Sequence, residues 1–165
     1  MEAIDYLIIQ STDTEEQRDL DKSYIIEKHT SSLREEGFGW VRPGLDYLVL
    51  QDGTLETIIN EANPTQVDLW GISEGKEGIT GVAKHIAYVG GRTLKGTKAK
   101  DTRTKEQKDT LEMIVKFYIL RFPNLIIMGL DEIASKKDSE NPAFNVQEWL
   151  SEIGVAEQHI FKQNK

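Results

Sequence analysis

With 165 residues, 38% of them hydrophobic, the chain holds material for one packed domain, and its length gives no reason to ask for a second. Twenty-eight acidic against 20 basic residues leave a net charge of −8. That charge repels nucleic-acid phosphates and anionic lipid, so neither nucleic acid nor a membrane is expected as a partner. With no cysteine, disulfides, thiolate zinc sites and a cysteine nucleophile are excluded together.

The N-terminal Met1-Glu2-Ala3-Ile4-Asp5 lacks a basic n-region and an apolar h-region, so no signal peptide is expected and synthesis should be cytoplasmic. Tyr6-Leu7-Ile8-Ile9 is an apolar, branched-rich run that predicts a buried strand, followed by a polar loop over 11–19. Residues 23–36 carry Tyr24, Ile25, His29 and Leu33 at helical spacing, with Gly37 as the stop. Tyr47-Leu48-Val49-Leu50 predicts a second strand, and Gln51-Asp52-Gly53-Thr54 a turn into a partner strand over 55–59. Residues 60–81 contain four glycines and no clear period, which predicts a long loop.

His85-Ile86-Ala87-Tyr88-Val89 predicts another strand, closed by Gly90-Gly91, and 92–103 a basic, polar loop. The clearest helix covers 104–122. Thr104 caps it, Gln107 stands at the capping-box position and Pro123 follows its end. Its apolar face is Leu111, Ile114, Val115, Tyr118 and Ile119. Then come a strand over 125–128, too short for a membrane span, a charged loop over 134–140 and a short helix over 146–153. The expected organisation is one domain over 1–155 with a polar tail over 156–165 that frays from Glu157 onward. Strands and helices do not alternate strictly, so the expected fold is α/β (α+β), a single mixed β-sheet flanked by helices.

Four pieces, in order, carry a resemblance: Tyr47-Leu48-Val49-Leu50-Gln51-Asp52-Gly53-Thr54; Tyr88-Val89-Gly90-Gly91; Lys100-Asp101-Thr102-Arg103-Thr104 leading through Gln107; and Gly129-Leu130-Asp131-Glu132. Their sequence and spacing resemble the type-2 N-acetylmuramoyl-L-alanine amidases, the family of the amidase-type phage lysozymes and the peptidoglycan-recognition proteins. The resemblance runs roughly from Ile4 to Trp149. It implies a zinc ion held by two His and one Cys or carboxylate, with an activated water that attacks an amide. In this chain the implied ligand places hold Gln10, Leu130 and Asn141, and the implied catalytic Tyr and neighbouring His fall on Leu45 and Asp46. Lys136 and Lys137 are candidates for any catalytic Lys. Leucine has no donor atom and neutral amides are poor zinc ligands, so neither a metal nor another cofactor is expected.

Other candidates divide between function and structure. His29, His85 and His159 have no ligand spacing and read as structural. Asp46, Asp131 and Glu132 would converge at the C-terminal rim of such a sheet, where a carboxylate pair serves glycoside chemistry or a hard cation. The plainer reading makes Glu132 a cap or a partner of a nearby Lys. Arg92, Lys95, Lys98, Lys100 and Arg103 form a local positive segment, either a docking surface for an acidic partner or a solvated loop. Trp40 and Trp70 lie in loops, where exposed aromatics anchor interfaces or cover a sheet end.

The expected function is a catalytically inactive amidase-like domain acting as a structural or protein-binding module. Amidases of this type are common in phages, so the expected context is phage or prophage, with phage structural proteins as partners in a virion or tail. Within the same class stands peptidoglycan binding without cleavage. The alternatives from other classes are a divergent amidase or hydrolase using Asp46, Asp131 or Glu132, and a regulator that binds another protein.

Overall fold

The computed structural model describes residues 3–59, 81–133 and 140–162. Among them, strands β1 (Tyr6–Ser11), β3 (Tyr47–Val49), β4 (Leu55–Thr57), β5 (Ala83–Tyr88) and β7 (Ile126–Gly129) form one sheet in the order β4-β3-β5-β1-β7. β1 runs parallel to β5 and β7, and β3 parallel to β5, while β4 returns antiparallel to β3 across the Asp52-Gly53 turn. The mixed sheet expected from the sequence is therefore present.

The central strands are apolar on both sides because both faces are covered. Leu7 and Ile9 of β1, Val49, Ile86, Tyr88 and Ile127 face one core, shared with α2 (Lys105–Arg121) and α3 (Val146–Glu152). Opposite them, Ile8 and Met128 pack with Leu130 and Ile133, while Leu48 and Ala87 pack with Leu45 and with Ile25 of α1 (Lys22–Thr30). No helix among the described residues is long and apolar enough to cross a membrane.

Helix α2 begins where its sequence signals place it. The Thr104 side chain accepts from the Gln107 N–H, and the Gln107 side chain accepts from the Thr104 N–H. The same Gln107 amide is fully buried and donates to the carbonyls of Val49 and Val89, 3.2 and 3.1 Å away. One side chain thus caps the helix and fastens it to the ends of β3 and β5.

Four expectations change. The 11–19 loop contains β2 (Thr14–Glu15), paired in parallel with β6 (Gly91–Arg92), so Arg92 belongs to a strand rather than to a loop. Helix α1 stops at Thr30, short of the expected 36, and a 3₁₀ turn follows over Leu33–Glu35. The chain there folds back: Phe38, Gly39 and Trp40 donate backbone hydrogen bonds to the carbonyls of Lys28, Ser31 and His29, filling the acceptors a longer helix would use. Leu33, expected on the buried face, is 80% exposed. The residues beyond 155, expected to be a fraying tail, dock on the sheet as far as Phe161. His159 and Ile160 are buried, His159 Nδ1 lies 2.8 Å from the Leu125 carbonyl oxygen, and the Phe161 N–H donates to Ile127. The expected loop over 60–81 and the expected charged loop over 134–140 lie outside the described residues, apart from Gly81 and Glu140.

Replacing Gln107 by Leu keeps the volume but takes a donor from the Val89 carbonyl and the acceptor from the Thr104 N–H, and leaves the Val49 carbonyl with the Val89 N–H alone. The expected cost is about 2–4 kcal/mol, against about 1 kcal/mol for loss of the cap alone in Thr104→Ala. Urea unfolding checks this, with a midpoint shift for Gln107→Leu at least twice that for Thr104→Ala and an unchanged slope.

Candidate functional site

Parallel strands bring their C-terminal ends to one rim, and it is there that this chain gathers its candidate residues. Gln10 and Ser11 end β1, and Leu130 directly follows β7, whose Gly129 is in register with Ile9. Asn141 closes the third side. Its Oδ1 accepts from the Ser11 N–H at 2.7 Å, its Nδ2 donates to the Ser11 carbonyl at 3.3 Å, and its own carbonyl accepts from the Asp131 N–H. Three residues distant in sequence, Gln10, Leu130 and Asn141, are thereby placed at the same corner of the sheet.

Each is already committed to a neighbour. The Gln10 Oε1 lies 3.1 Å from Nδ1 of the buried His85, and Leu130 packs with Ile8, Met128 and Ile133. The Asn141 amide reads both polar groups of the Ser11 backbone, as a strand would. Tyr88, with a hydroxyl pushed far up by burial, donates to the Pro142 carbonyl and fixes the same turn.

Gly90 and Gly91 fit the sharp exit from β5 expected of them. Both have positive φ, and a Cβ there would stand 2.1 Å from Thr102 Oγ1 and 2.3 Å from Ser11 Oγ respectively.

Leu45 and Asp46 stand elsewhere, just before β3. Leu45 is buried against Ile25, Leu48, Ala87 and Val89. The Asp46 side chain is 1% exposed: Oδ2 accepts from the His85 N–H, and Oδ1 is 3.4 Å from Nζ of Lys84, itself 4% exposed. The convergence expected of Asp46 with Asp131 and Glu132 does not occur. β3 and β7 are three strand spacings apart, about 14 Å, and Asp46 is level with His85, below the rim.

Glu132 is a cap, accepting from the Gly129 N–H at 2.7 Å and from the Gln147 side chain at 2.5 Å. Asp131 lines an open depression with Glu140, Phe144 and Gln147, and its buried Oδ1 has no hydrogen-bond donor among the described residues. Burial, and then the Glu132 charge, push its carboxyl up to about 6.

The basic segment is largely tied down. Arg92 pairs with Asp13 at 2.7 Å and Lys100 with Glu16 at 2.7 Å. Arg103 grips Asp101 with two hydrogen bonds and lies over the Phe144 ring, its guanidinium carbon 3.3 Å from the ring centroid. With its side chain 6% exposed, Arg103 is a joint between this loop and α3 rather than a surface contact. Lys95 and Lys98 remain exposed.

Trp40 packs with tilted rings against His29 and Phe38, at ring-centroid distances of 4.8 and 5.0 Å. His29 Nδ1 accepts from the Gly44 N–H, and burial lowers its pKa to about 4. Gly44 has room for no Cβ, which would lie 2.7 Å from the Trp40 ring. Trp70, Lys136 and Lys137 lie outside the described residues.

Two residues that organise this region were not singled out from the sequence, Ser11 and Lys84. The signal for Lys84 was present: one Lys inside the apolar strand Ala83–Tyr88 implies a buried partner. Ser11 meets Asn141 through its backbone, which leaves no signature.

Comparison with protein-family models gives no match, and comparison with curated protein sequences gives none either. Solved structures do match. An N-acetylmuramoyl-L-alanine amidase, LysC from Clostridium intestinale URNW, aligns at 15% identity and TM-score 0.62, over 93% of this chain and 87% of that one. The Ph2119 endolysin from the Thermus scotoductus MAT2119 bacteriophage Ph2119 aligns at 18% identity and TM-score 0.60, over 94% and 88%. The human peptidoglycan-recognition protein PGRP-IBETAC, in complex with glycosamyl muramyl pentapeptide, aligns at 16% identity and TM-score 0.59, over 98% and 88%. The chain therefore has the fold shared by these amidases and recognition proteins.

That fold implies a zinc ion, and the rim residues do not fit one. Leu130 has no donor atom, and the Asn141 oxygen already receives the Ser11 N–H. Among the described residues, no group of three or more His, Asp or Glu is placed to hold a metal ion.

Asp46→Ala leaves the Lys84 ammonium buried without its counter-charge, at an expected cost of about 3–5 kcal/mol. Adding Lys84→Met should recover the part due to the stranded charge but not the part due to the His85 N–H left without Asp46, measured as a double-mutant cycle by denaturant unfolding.

Acid response gives a second test. His29 is held neutral, so its contribution is present above its ordinary pKa of 6.5 and is lost as pH falls towards 4. Asp131 is held protonated, so its contribution has the opposite sign and grows as pH falls from about 6 towards 3.8. Asp131→Asn should raise the melting temperature at pH 7 and steepen the loss between pH 6 and 4. A pH profile unchanged by Asp131→Asn would contradict the assignment of Asp131.

Proposed function

We propose that this chain is an amidase-fold protein that does not hydrolyse peptidoglycan and works by binding another protein. The observation that carries the reading is the state of the rim. Gln10, Leu130 and Asn141 are engaged with His85, an aliphatic cluster and the Ser11 backbone, where a hydrolytic site needs ligands directed at a metal. Leu45 and Leu130 add aliphatic carbon to the two cores behind it, and a sugar-peptide with many amides and hydroxyls needs polar partners instead.

Two exposed surfaces suit a protein contact. One is the hairpin after α1, where Leu33, Phe38 and Val41 are 80%, 43% and 88% exposed beside the Trp40 ring. The other is the tip carrying Lys95 and Lys98, suited to an acidic partner. A phage or prophage setting, as a virion or tail component, draws its support from the bacteriophage endolysin among the structural relatives. A second reading is muropeptide binding without cleavage. It draws its support from the relative solved with glycosamyl muramyl pentapeptide.

Zinc or a chelator should leave the melting temperature of the purified protein unchanged, because no metal-binding free energy is linked to its folding. A chelator-induced drop of several degrees would sink the proposal. Calorimetric titration with muropeptide then separates the two readings. No heat from the wild type, with Val41→Asp or Lys95→Glu/Lys98→Glu abolishing capture of a protein from a phage structural lysate, favours the protein contact. Binding lost on Gln10→Ala but kept in the surface variants favours the muropeptide.

A further inference from the structure

Helix α2 buries one face and leaves a second, apolar one in solvent. Met113, Phe117 and Leu120 are 58%, 50% and 85% exposed, while Leu111, Ile114, Val115 and Tyr118 point into the core. At spacings of four and three residues the three exposed side chains form one strip along the helix.

The charges beside the strip are sorted along the axis. Glu106, Asp109 and Glu112 lie in the N-terminal half, Lys116 and Arg121 in the C-terminal half. Two basic residues share that half: Lys105, which lies 3.1 Å from Asp109, and Lys108, which at five residues before Met113 stands on a different side of the helix from the strip. Lys116 lies 3.6 Å from Glu112, with both side chains well exposed, a contact that solvent makes weak and exchangeable.

A face that is acidic at one end, basic at the other and apolar between is complementary to itself turned end for end. We propose that this face pairs with a second copy of the chain, the two α2 helices packing antiparallel about a two-fold axis level with Ile114. In that register Met113 meets its counterpart, Phe117 covers Thr110 of the second copy, and Leu120 lies near the stem of Glu106. Arg121 then stands beside Glu106 of the second copy, and Lys116 beside its Glu112.

A net charge of −8 works against random encounters between copies, so the local matching selects this arrangement over others. The inference does not rest on the function proposed for the rim, which is formed by the ends of β1 and β7.

Sedimentation velocity of the full chain at roughly 10 µM to 1 mM, the range in which small interfaces associate, reads the equilibrium directly. The wild type is expected to shift from monomer to dimer across this range. Phe117→Glu should weaken the dimer at least tenfold, and its circular dichroism should stay unchanged because the site is exposed. Arg121→Glu should weaken it as well, and Glu106→Arg added to Arg121→Glu should restore it. A wild type that stays monomeric throughout overturns the proposal. So does a dimer that is indifferent to Phe117→Glu and gains nothing from the charge exchange.

Discussion

A single buried amide, that of Gln107, is the constraint on which the architecture hangs. It closes the N-terminal turn of α2 and satisfies two strand-end carbonyls. Strand ends are where a sheet otherwise loses hydrogen bonds, so a fixed donor there determines where the helix must start. Once Thr104 is held, Arg103 one residue earlier reaches Phe144 and Trp149, which seats the segment leading into α3. That segment brings Asn141 to Ser11 and completes the rim. The candidate site is thus the far end of a chain of contacts that begins inside the core.

Much of this was readable in the sequence because its signals are local. The capping box of α2, the apolar runs of β1, β3, β5 and β7 and the Asp52-Gly53 turn are short-range patterns, and each formed within a residue or two of its expected place. The order of four weak motifs pointed to the fold before any contact was visible. The β2–β6 ladder was not readable. Two-residue strands have no period, and this one exists only because Gly90 and Gly91 turn the chain alongside Thr14. The end of α1 was misplaced because Gly37 is a stop signal by type, while the true stop is the return of Phe38, Gly39 and Trp40 onto the helix carbonyls. Arg103 read as one positive charge among several, since nothing in its neighbourhood announces an aromatic shelf that sequence places 41 residues away.

At the rim the polar side chains serve the fold. Hydrogen-bonding capacity is high there, but it is turned inward: an amide against a strand backbone, an amide against a histidine, a carboxylate against a helix turn. Inward-turned polar groups hold loops in place and leave few donors or acceptors pointing out. Among the described residues, most of the exposed apolar side chains lie instead on the hairpin after α1 and along α2.

The ion pair between Asp46 and Lys84 also restricts how these two positions can vary. Neither charge is well tolerated alone in so dry a place. Exchanging position 46 for a neutral side chain in one step strands a charge in the core, so the two positions change together more readily than singly.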